Sequence, residues 1–209
     1  MSHDHDDHDH DDHDHRPPQP DDPVSRYEAL EQALRELLIE KGVVTADGLR
    51  RTMEVLESAS PENGARIVAR AWSDPAFKEL LLQDGQAAVA SLGMGPTGRF
   101  VVVENTPERH NVIVCTLCSC YPRFVLGFPP AWYKSRDYRA RVVHEPRAVL
   151  AEFGLKLSDD TEVVVSDSTA EIRYMVLPQQ PPETKGWPEE KLAGLITRDC
   201  LIGTAVARA

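Results

Sequence analysis

No apolar run in this chain of 209 residues approaches the ~20 consecutive residues that a bilayer-spanning helix needs, and its N-terminus carries no apolar segment of the kind that directs secretion. A membrane-spanning role is excluded on that basis, and the cytoplasm is the expected compartment. No internal repeat is visible. Basic residues are outnumbered, 23 Lys plus Arg against 34 Asp plus Glu, and the net charge of −11 gives no electrostatic case for a nucleic-acid partner. Cysteine is scarce, with four in all. Three of the four are clustered, which argues for metal chemistry rather than a disulfide framework.

The negative charge is uneven. Residues 1–15 hold seven Asp and no Lys or Arg, so −7 of the total lies there and −4 on everything after. Residues 2–15 alternate His and Asp almost without interruption, and six of the eight histidines lie among them. Such a composition cannot form a packed core, so disorder is expected. It reads either as a loose multidentate collector of divalent metal or as a solvated acidic tail that binds metal only incidentally. Pro17, Pro18, Pro20 and Pro23 then make an extended linker. Residues 1–24 are therefore set aside as tail and linker.

The remainder divides in two. From 25 to 95 the pattern is helical. A capping box, Ser25 with Glu28, opens a helix bearing Tyr27, Leu30, Leu34, Leu37 and Leu38 and stopping at Gly42. A second helix begins near Thr45, a third at Pro61, and a fourth runs from Pro75 towards Gly93. Glycines and Pro96 mark a boundary, after which 96–209 reads as the metal-binding domain. Strands are expected at Phe100–Glu104, Asn111–Val114, Glu162–Val165 and Ile172–Leu177. Helix is expected around Tyr138 to Phe153, interrupted at Pro146, and again from Pro188 through Leu192, Leu195 and Ile196. Pro122, Pro129 and Pro130 predict a fixed loop without regular structure after the cysteines. Strands and helices in separate runs indicate the α+β class.

The chemistry concentrates in Cys115-Thr116-Leu117-Cys118-Ser119-Cys120, directly after an apolar strand. Thiolates at these spacings are first of all a zinc signature, but a tetrahedral site wants four ligands and the only other cysteine, Cys200, is eighty residues away. Two sulfurs separated by a single residue reach one ion only if the backbone folds tightly over it. That fold brings the amide nitrogens of Ser119 and Cys120 within bonding range. Amides and thiolates together suit a trivalent low-spin transition metal better than zinc. His110 and His144 stand alone without ligand spacing and read as structural.

Val114-Cys115-Thr116-Leu117-Cys118-Ser119-Cys120 resembles the metal-binding motif of the nitrile hydratase alpha subunit in its cobalt form. The resemblance extends through Tyr121-Pro122, Pro129-Pro130-Ala131-Trp132-Tyr133-Lys134, Glu171-Ile172-Arg173-Tyr174 and Thr197-Arg198-Asp199, covering roughly residues 26–204. It implies a helical arm that embraces a partner subunit, followed by an α-β-β-α layered domain. It also implies one Co(III) per chain held by Cys115, Cys118, Ser119 and Cys120, with Cys118 oxidised to sulfinic and Cys120 to sulfenic acid. Thr116 favours cobalt over iron, because iron-type relatives usually carry Ser there. The activity implied is hydration of a nitrile to an amide in a complex with beta-type subunits, of one or two separate chains. Whether the attacking oxygen belongs to water or to oxidised Cys120 is left open. Glu171 and Arg173 match positions that hydrogen-bond near the metal, though an ordinary strand-edge ion pair is the safer reading.

The pocket departs from the family pattern. Arg123 stands where most members have Trp, and Phe128 where Leu is common. Arg123, the His/Asp-rich start and Arg198-Asp199-Cys200-Leu201-Ile202-Gly203 resemble the gamma subunit of thiocyanate hydrolase, a cobalt relative built from three proteins. Two further readings therefore accompany the nitrile reading, which itself extends to heteroaromatic or toyocamycin-type nucleoside nitriles. One is a thiocyanate hydrolase gamma subunit and the other a His/Asp-rich metal carrier.

Overall fold

The computed structural model describes residues 26–95 and 98–209, without the side chains of residues 55 and 56. The expected disordered tail, the linker and the Ser25 half of the capping box lie outside the described residues. Among the described residues no helix is long and apolar enough to cross a membrane.

Two compact units divide the chain at Leu49 and Arg50. In the first, helix α1 (Arg26–Glu40) has no buried residue, and Tyr27, Leu30, Leu34 and Leu37 are 82%, 55%, 57% and 44% exposed. Their spacing places them along one helical stripe. α2 (Ala46–Ser58) follows, with the Thr45 hydroxyl accepting the Gly48 amide at its start.

In the second unit α3 (Pro61–Ser73) and α4 (Pro75–Gln83) each open on a proline, where the missing N–H costs nothing. Asp74 caps α4, its Oδ1 accepting from Ala76 at 3.0 Å and Phe77 at 3.1 Å. The single helix expected from Pro75 towards Gly93 is in fact two. Asp84 has extended-type backbone, ends α4, and accepts the Ala87 amide at 3.0 Å as the cap of α5 (Gly85–Ser91).

Four strands follow: β1 (Arg99–Glu104), β2 (Arg109–Val114), β3 (Glu162–Asp167) and β4 (Ile172–Leu177). They pair in parallel, β1 with β4 and β2 with β3, as two separate two-stranded sheets. Each short turn, β1 to β2 and β3 to β4, carries the chain from one sheet to the other. The two sheets touch through β2 and β4, with α4, α5 and α11 (Arg198–Ile202) outside the first and α9 (Pro146–Glu152) outside the second. This is the α-β-β-α layering that the family resemblance implied. Val112, Ile113, Val114, Met175, Val176, Leu201 and Ile202 form its dry centre.

Between the cysteines and α9 lie α6 (Arg123–Leu126), α7 (Ala131–Lys134) and α8 (Arg136–Arg141). The prolines were expected to forbid helix there. Pro122 and Pro130 instead stand immediately before one-turn helices, a position where proline's fixed φ is already suitable. A last correction concerns the C-terminus. α10 (Glu189–Ala193) ends before Leu195 and Ile196, and α11 restarts under a Thr197 cap. α11 stops at Gly203, whose φ of 94° and approach to Val112 Cα, 2.9 Å from where a Cβ would stand, leave room only for glycine.

Candidate metal centre

β2 is buried from His110 onward and delivers Cys115 at its end with no exposed surface. The parallel register sets Val114 beside Asp167, the last residue of β3, and the Ser168 amide donates to Val114 O at 2.7 Å. Asp167 is thereby aimed at the turn after β2. Its Oδ1 accepts the Thr116 amide at 3.0 Å and its Oδ2 the Thr116 hydroxyl at 2.6 Å. The guanidinium of Arg139 donates to Thr116 O at 3.4 Å. Sequence reasoning gave Asp167 no role. Only the strand register reveals it.

The turn folds Cys118 and Cys120 back on Cys115. Sγ of Cys115 lies 3.3 Å from Sγ of Cys118, which lies 3.2 Å from Sγ of Cys120, and all three fall within 4.8 Å of one another. The Cys118 amide donates to Cys115 Sγ, 3.3 Å away.

The sulfur spacing tests which ion suits the cluster. Sulfurs about 2.3 Å from a tetrahedral ion stand about 3.8 Å apart, whereas sulfurs meeting the ion at right angles stand about 3.3 Å apart. The separations of 3.3 and 3.2 Å are nearer the right-angle value than the tetrahedral one. Cys200 is not part of this cluster; its sulfur engages Thr197 Oγ1 at 3.2 Å. The four-thiolate zinc site is not formed.

As thiols Cys118 and Cys120 are unlike. Hydrogen bonds from Cys120 and Cys115, with smaller help from the loop amides, lower Cys118 to about 7, while burial first and the neighbouring sulfurs next push Cys120 up to about 12. Coordination would deprotonate all three. Cys115 is buried, Cys120 half-buried and Cys118 exposed, as are Ser119 and, at 86%, Leu117. The cluster therefore opens on one face.

Arg123 and Phe128, the expected pocket residues, come together on the surface just beyond the motif. The Arg123 guanidinium carbon lies 4.2 Å from the Phe128 ring centroid, and the ring is 65% exposed. Arg173 is half-buried, donates to Thr169 O, and lies near enough for its charge to lower Cys120 against the other influences. Glu171 is exposed and accepts the Thr169 hydroxyl at 2.8 Å; that bond, more than Arg173, lowers its pKa. Thr169 links the two side chains, and only Arg173 acts on the sulfurs.

Behind the loop stands an aromatic cluster. Tyr121 and Tyr133 meet edge to face at 5.1 Å, and Tyr138 donates to Ile113 O at 2.7 Å. Tyr121 Oη and Arg198 Nε are buried without a hydrogen-bond partner among the described residues. His110 is buried and structural. Its Nε2 is 2.7 Å from Gly203 O, which can only accept, so Nε2 carries the proton and Nδ1 accepts from Asn105 Nδ2 at 3.2 Å.

The family model for the nitrile hydratase alpha chain matches residues 25–205. The low-molecular-weight cobalt-containing nitrile hydratase subunit alpha of Rhodococcus rhodochrous is 50% identical, over 84% of this chain and 86% of its own. The thiocyanate hydrolase subunit gamma of Thiobacillus thioparus is 46% identical, over 100% of this chain and 91% of its own. Among solved structures, a recombinant thiocyanate hydrolase with partially modified cobalt centres superposes with a TM-score of 0.82 at 44% identity, covering 89% of this chain and 92% of that one. A double mutant of the Fe-type nitrile hydratase from Comamonas testosteroni Ni1 superposes with a TM-score of 0.77 at 47% identity, covering 88% and 91%.

Proposed function

The chain belongs to the nitrile hydratase alpha-chain family, and on that premise we propose that it is the metal-carrying subunit of a cobalt enzyme that hydrates a nitrile to the corresponding amide. The observation that carries this reading is the cluster of Cys115, Cys118 and Cys120, whose three sulfurs fall within 4.8 Å of one another on one loop. Those three sulfurs and the amides of Ser119 and Cys120 would hold the ion. A trivalent ion so bound supplies Lewis acidity towards a nitrile nitrogen or water.

The protein's own contribution is placement and exclusion. Buried Cys115 fixes one corner, and the turn pinned by Asp167 sets the other two. Exposed Ser119 is free to orient a reacting water with its hydroxyl. Oxidation of Cys118 and Cys120 fits their access to solvent, which buried Cys115 lacks. The charge so created needs cations; Arg173 stands near on this chain and a beta-type partner supplies the rest. The open face around Leu117 and Phe128, and the apolar stripe of α1, are surfaces for that partner to cover. Cobalt rather than iron rests on Thr116 and the cobalt-containing relatives. The Thr116 bond to Asp167 does not decide it, since Ser would make the same bond.

A second reading is favoured by two observations. The thiocyanate hydrolase gamma subunit aligns over the whole of this chain, and Arg123 presents a cation beside the motif where an apolar wall would serve a small nitrile. In that reading the substrate is thiocyanate. The test is the cobalt-loaded complex of this chain with its partner subunits, assayed on aliphatic nitriles, heteroaromatic nitriles and thiocyanate. Amide formation from a nitrile is the expected result. Turnover of thiocyanate alone assigns the second reading, and no turnover with freely exchanging metal leaves a carrier.

A further inference from the structure

We propose that Tyr133 is a positioning residue for the cysteine loop, acting through the carbonyl of Cys120, and that Asp167 and Ser168 hold the two ends of that loop together. The inference rests on the metal site proposed above and concerns how this chain keeps it in shape.

The loop from Cys115 to Cys120 has two places where it is fastened. At its start Asp167 grips Thr116 through both carboxylate oxygens. At its end the Tyr133 hydroxyl donates to Cys120 O at 2.9 Å. Tyr133 is fully buried, its ring wedged edge-on against Tyr121 and tilted against Tyr138, so the hydroxyl has no freedom to follow a moving loop. Ser168 lies beside that hydroxyl. Ser168 is itself fixed: buried, its amide on Val114 O at 2.7 Å and its hydroxyl oxygen accepting the Tyr174 amide at 3.3 Å.

Adjacent residues at the end of β3 therefore serve both ends, Asp167 directly and Ser168 through Tyr133. Cys115 is held by β2 whatever the loop does. Cys118 and Cys120 are not, because one is exposed and the other half-buried, and packing alone does not fix them. The course of the backbone from Cys118 to Cys120 depends on where its far end is held, and the Tyr133 bond to the Cys120 carbonyl holds it. Without the Tyr133 hydroxyl the far end of the loop loses its anchor while the ring packing survives.

The experiment compares three single variants in the cobalt-loaded complex: Tyr133→Phe, Ser168→Ala and Tyr138→Phe. Tyr138→Phe removes a hydroxyl from the same aromatic cluster, but one bonded to Ile113 O inside β2 rather than to the loop. Three quantities are read: cobalt release to a chelator, the energy of the sulfur-to-cobalt absorption in the near ultraviolet, and the thermal midpoint. Loss of one well-formed hydrogen bond predicts roughly tenfold faster release for Tyr133→Phe, a smaller change in the same direction for Ser168→Ala, and a displaced absorption band in both. Tyr138→Phe should lower the thermal midpoint while leaving release and band as in the parent. Equal release and an unmoved band in Tyr133→Phe overturn the proposal. So does a Tyr138→Phe variant that loses cobalt just as fast, since general packing then explains the effect. Should Tyr133→Phe fail to fold, Ser168→Ala decides alone, and parent-like release and band overturn it. A parent complex that holds no metal overturns both this proposal and the metal site, which separates the two failures.

Discussion

Asp167 and Thr116 are 51 residues apart in sequence and joined by two hydrogen bonds, 3.0 Å to the amide and 2.6 Å to the hydroxyl. The pair ties the end of β3 to the first turn of the cysteine loop.

Removing that tie should loosen the metal before it unfolds the protein. Asp167→Ala is expected to speed cobalt release by about tenfold, from a net loss of ~1–2 kcal/mol at a partly exposed pair. Thr116→Ser keeps both bonds and should release cobalt as the parent does; Thr116→Val keeps only the amide bond and should fall between. Release rates that rank the serine variant with alanine would mean that the threonine methyl, not the hydroxyl, holds the turn.

The metal itself is checked by content and mass. Protein made with cobalt supplied should hold about one tightly bound cobalt per chain, and sulfinic plus sulfenic oxidation should add three oxygens, about 48 Da, confined to residues 118 and 120. Cys115→Ala should abolish tight binding outside the N-terminal segment. Zinc filling the site of the parent, or cobalt unaffected by Cys115→Ala, would count against the assignment.

Arg123 offers five donors on a planar cation, where Trp would offer an apolar wall. Arg123→Trp should lower kcat/KM for an anionic or acceptor-rich substrate by about 1.5–3 kcal/mol, roughly 10- to 150-fold, and spare or improve small aliphatic nitriles. A uniform loss across substrates with weaker subunit association would instead assign Arg123 to the interface.

His110 makes stability depend on acid in a defined window. Burial first, against a smaller contribution from the Gly203 bond, holds its folded pKa below the ordinary 6.5. Between the folded value and 6.5 the unfolded chain binds the proton and the folded chain does not, so stability is complete above 6.5 and falls as pH drops below it. Thermal midpoints should decline on acidification from pH 6.5, before the carboxylates titrate. His110→Gln should lower the midpoint at neutral pH yet flatten that decline. An unchanged slope in the variant would place the acid sensitivity elsewhere.

Residues 2–15 supply six imidazoles among seven carboxylates. Their deletion should slow cobalt loading when the metal is scarce and leave the loaded enzyme unchanged. Equal loading at limiting cobalt would return the segment to a merely solvating role.

Legibility in the sequence followed the range of the interactions. The cysteine cluster was readable because its geometry is made by six consecutive residues. The strands and the start of each long helix were readable because prolines and apolar periodicity are local. The break at Asp84 was missed because an apolar pattern runs through it, and only the side-chain bond to Ala87 shows that the helix restarts. The one-turn helices after Pro122 and Pro130 were missed because proline was taken as a breaker where it serves as a starter. Asp167 and Tyr133 fall in stretches that carry the family resemblance, but what they do could not be read. Their roles come from a parallel register and a buried hydroxyl, neither of which leaves a trace in neighbouring residues. Arg123 and Phe128 are five residues apart, yet their stacking depends on the turn that Gly127 makes between them.

The parallel pairing of β2 with β3 also sets an order of events during synthesis. Closing a loop of this length is slow compared with forming helices or short turns, and β3 leaves the ribosome some fifty residues after the cysteines do, several seconds later at about 5–20 residues per second. Throughout that interval Cys115, Cys118 and Cys120 exist as three untied thiols with neither Asp167 nor Ser168 to shape them. A metal captured then would meet a flexible chelate with no preference for six-coordinate ions, and abundant zinc would compete well. The spacing of the three sulfurs is set only once β3 has docked, so metal selection belongs to the completed fold rather than to the nascent chain.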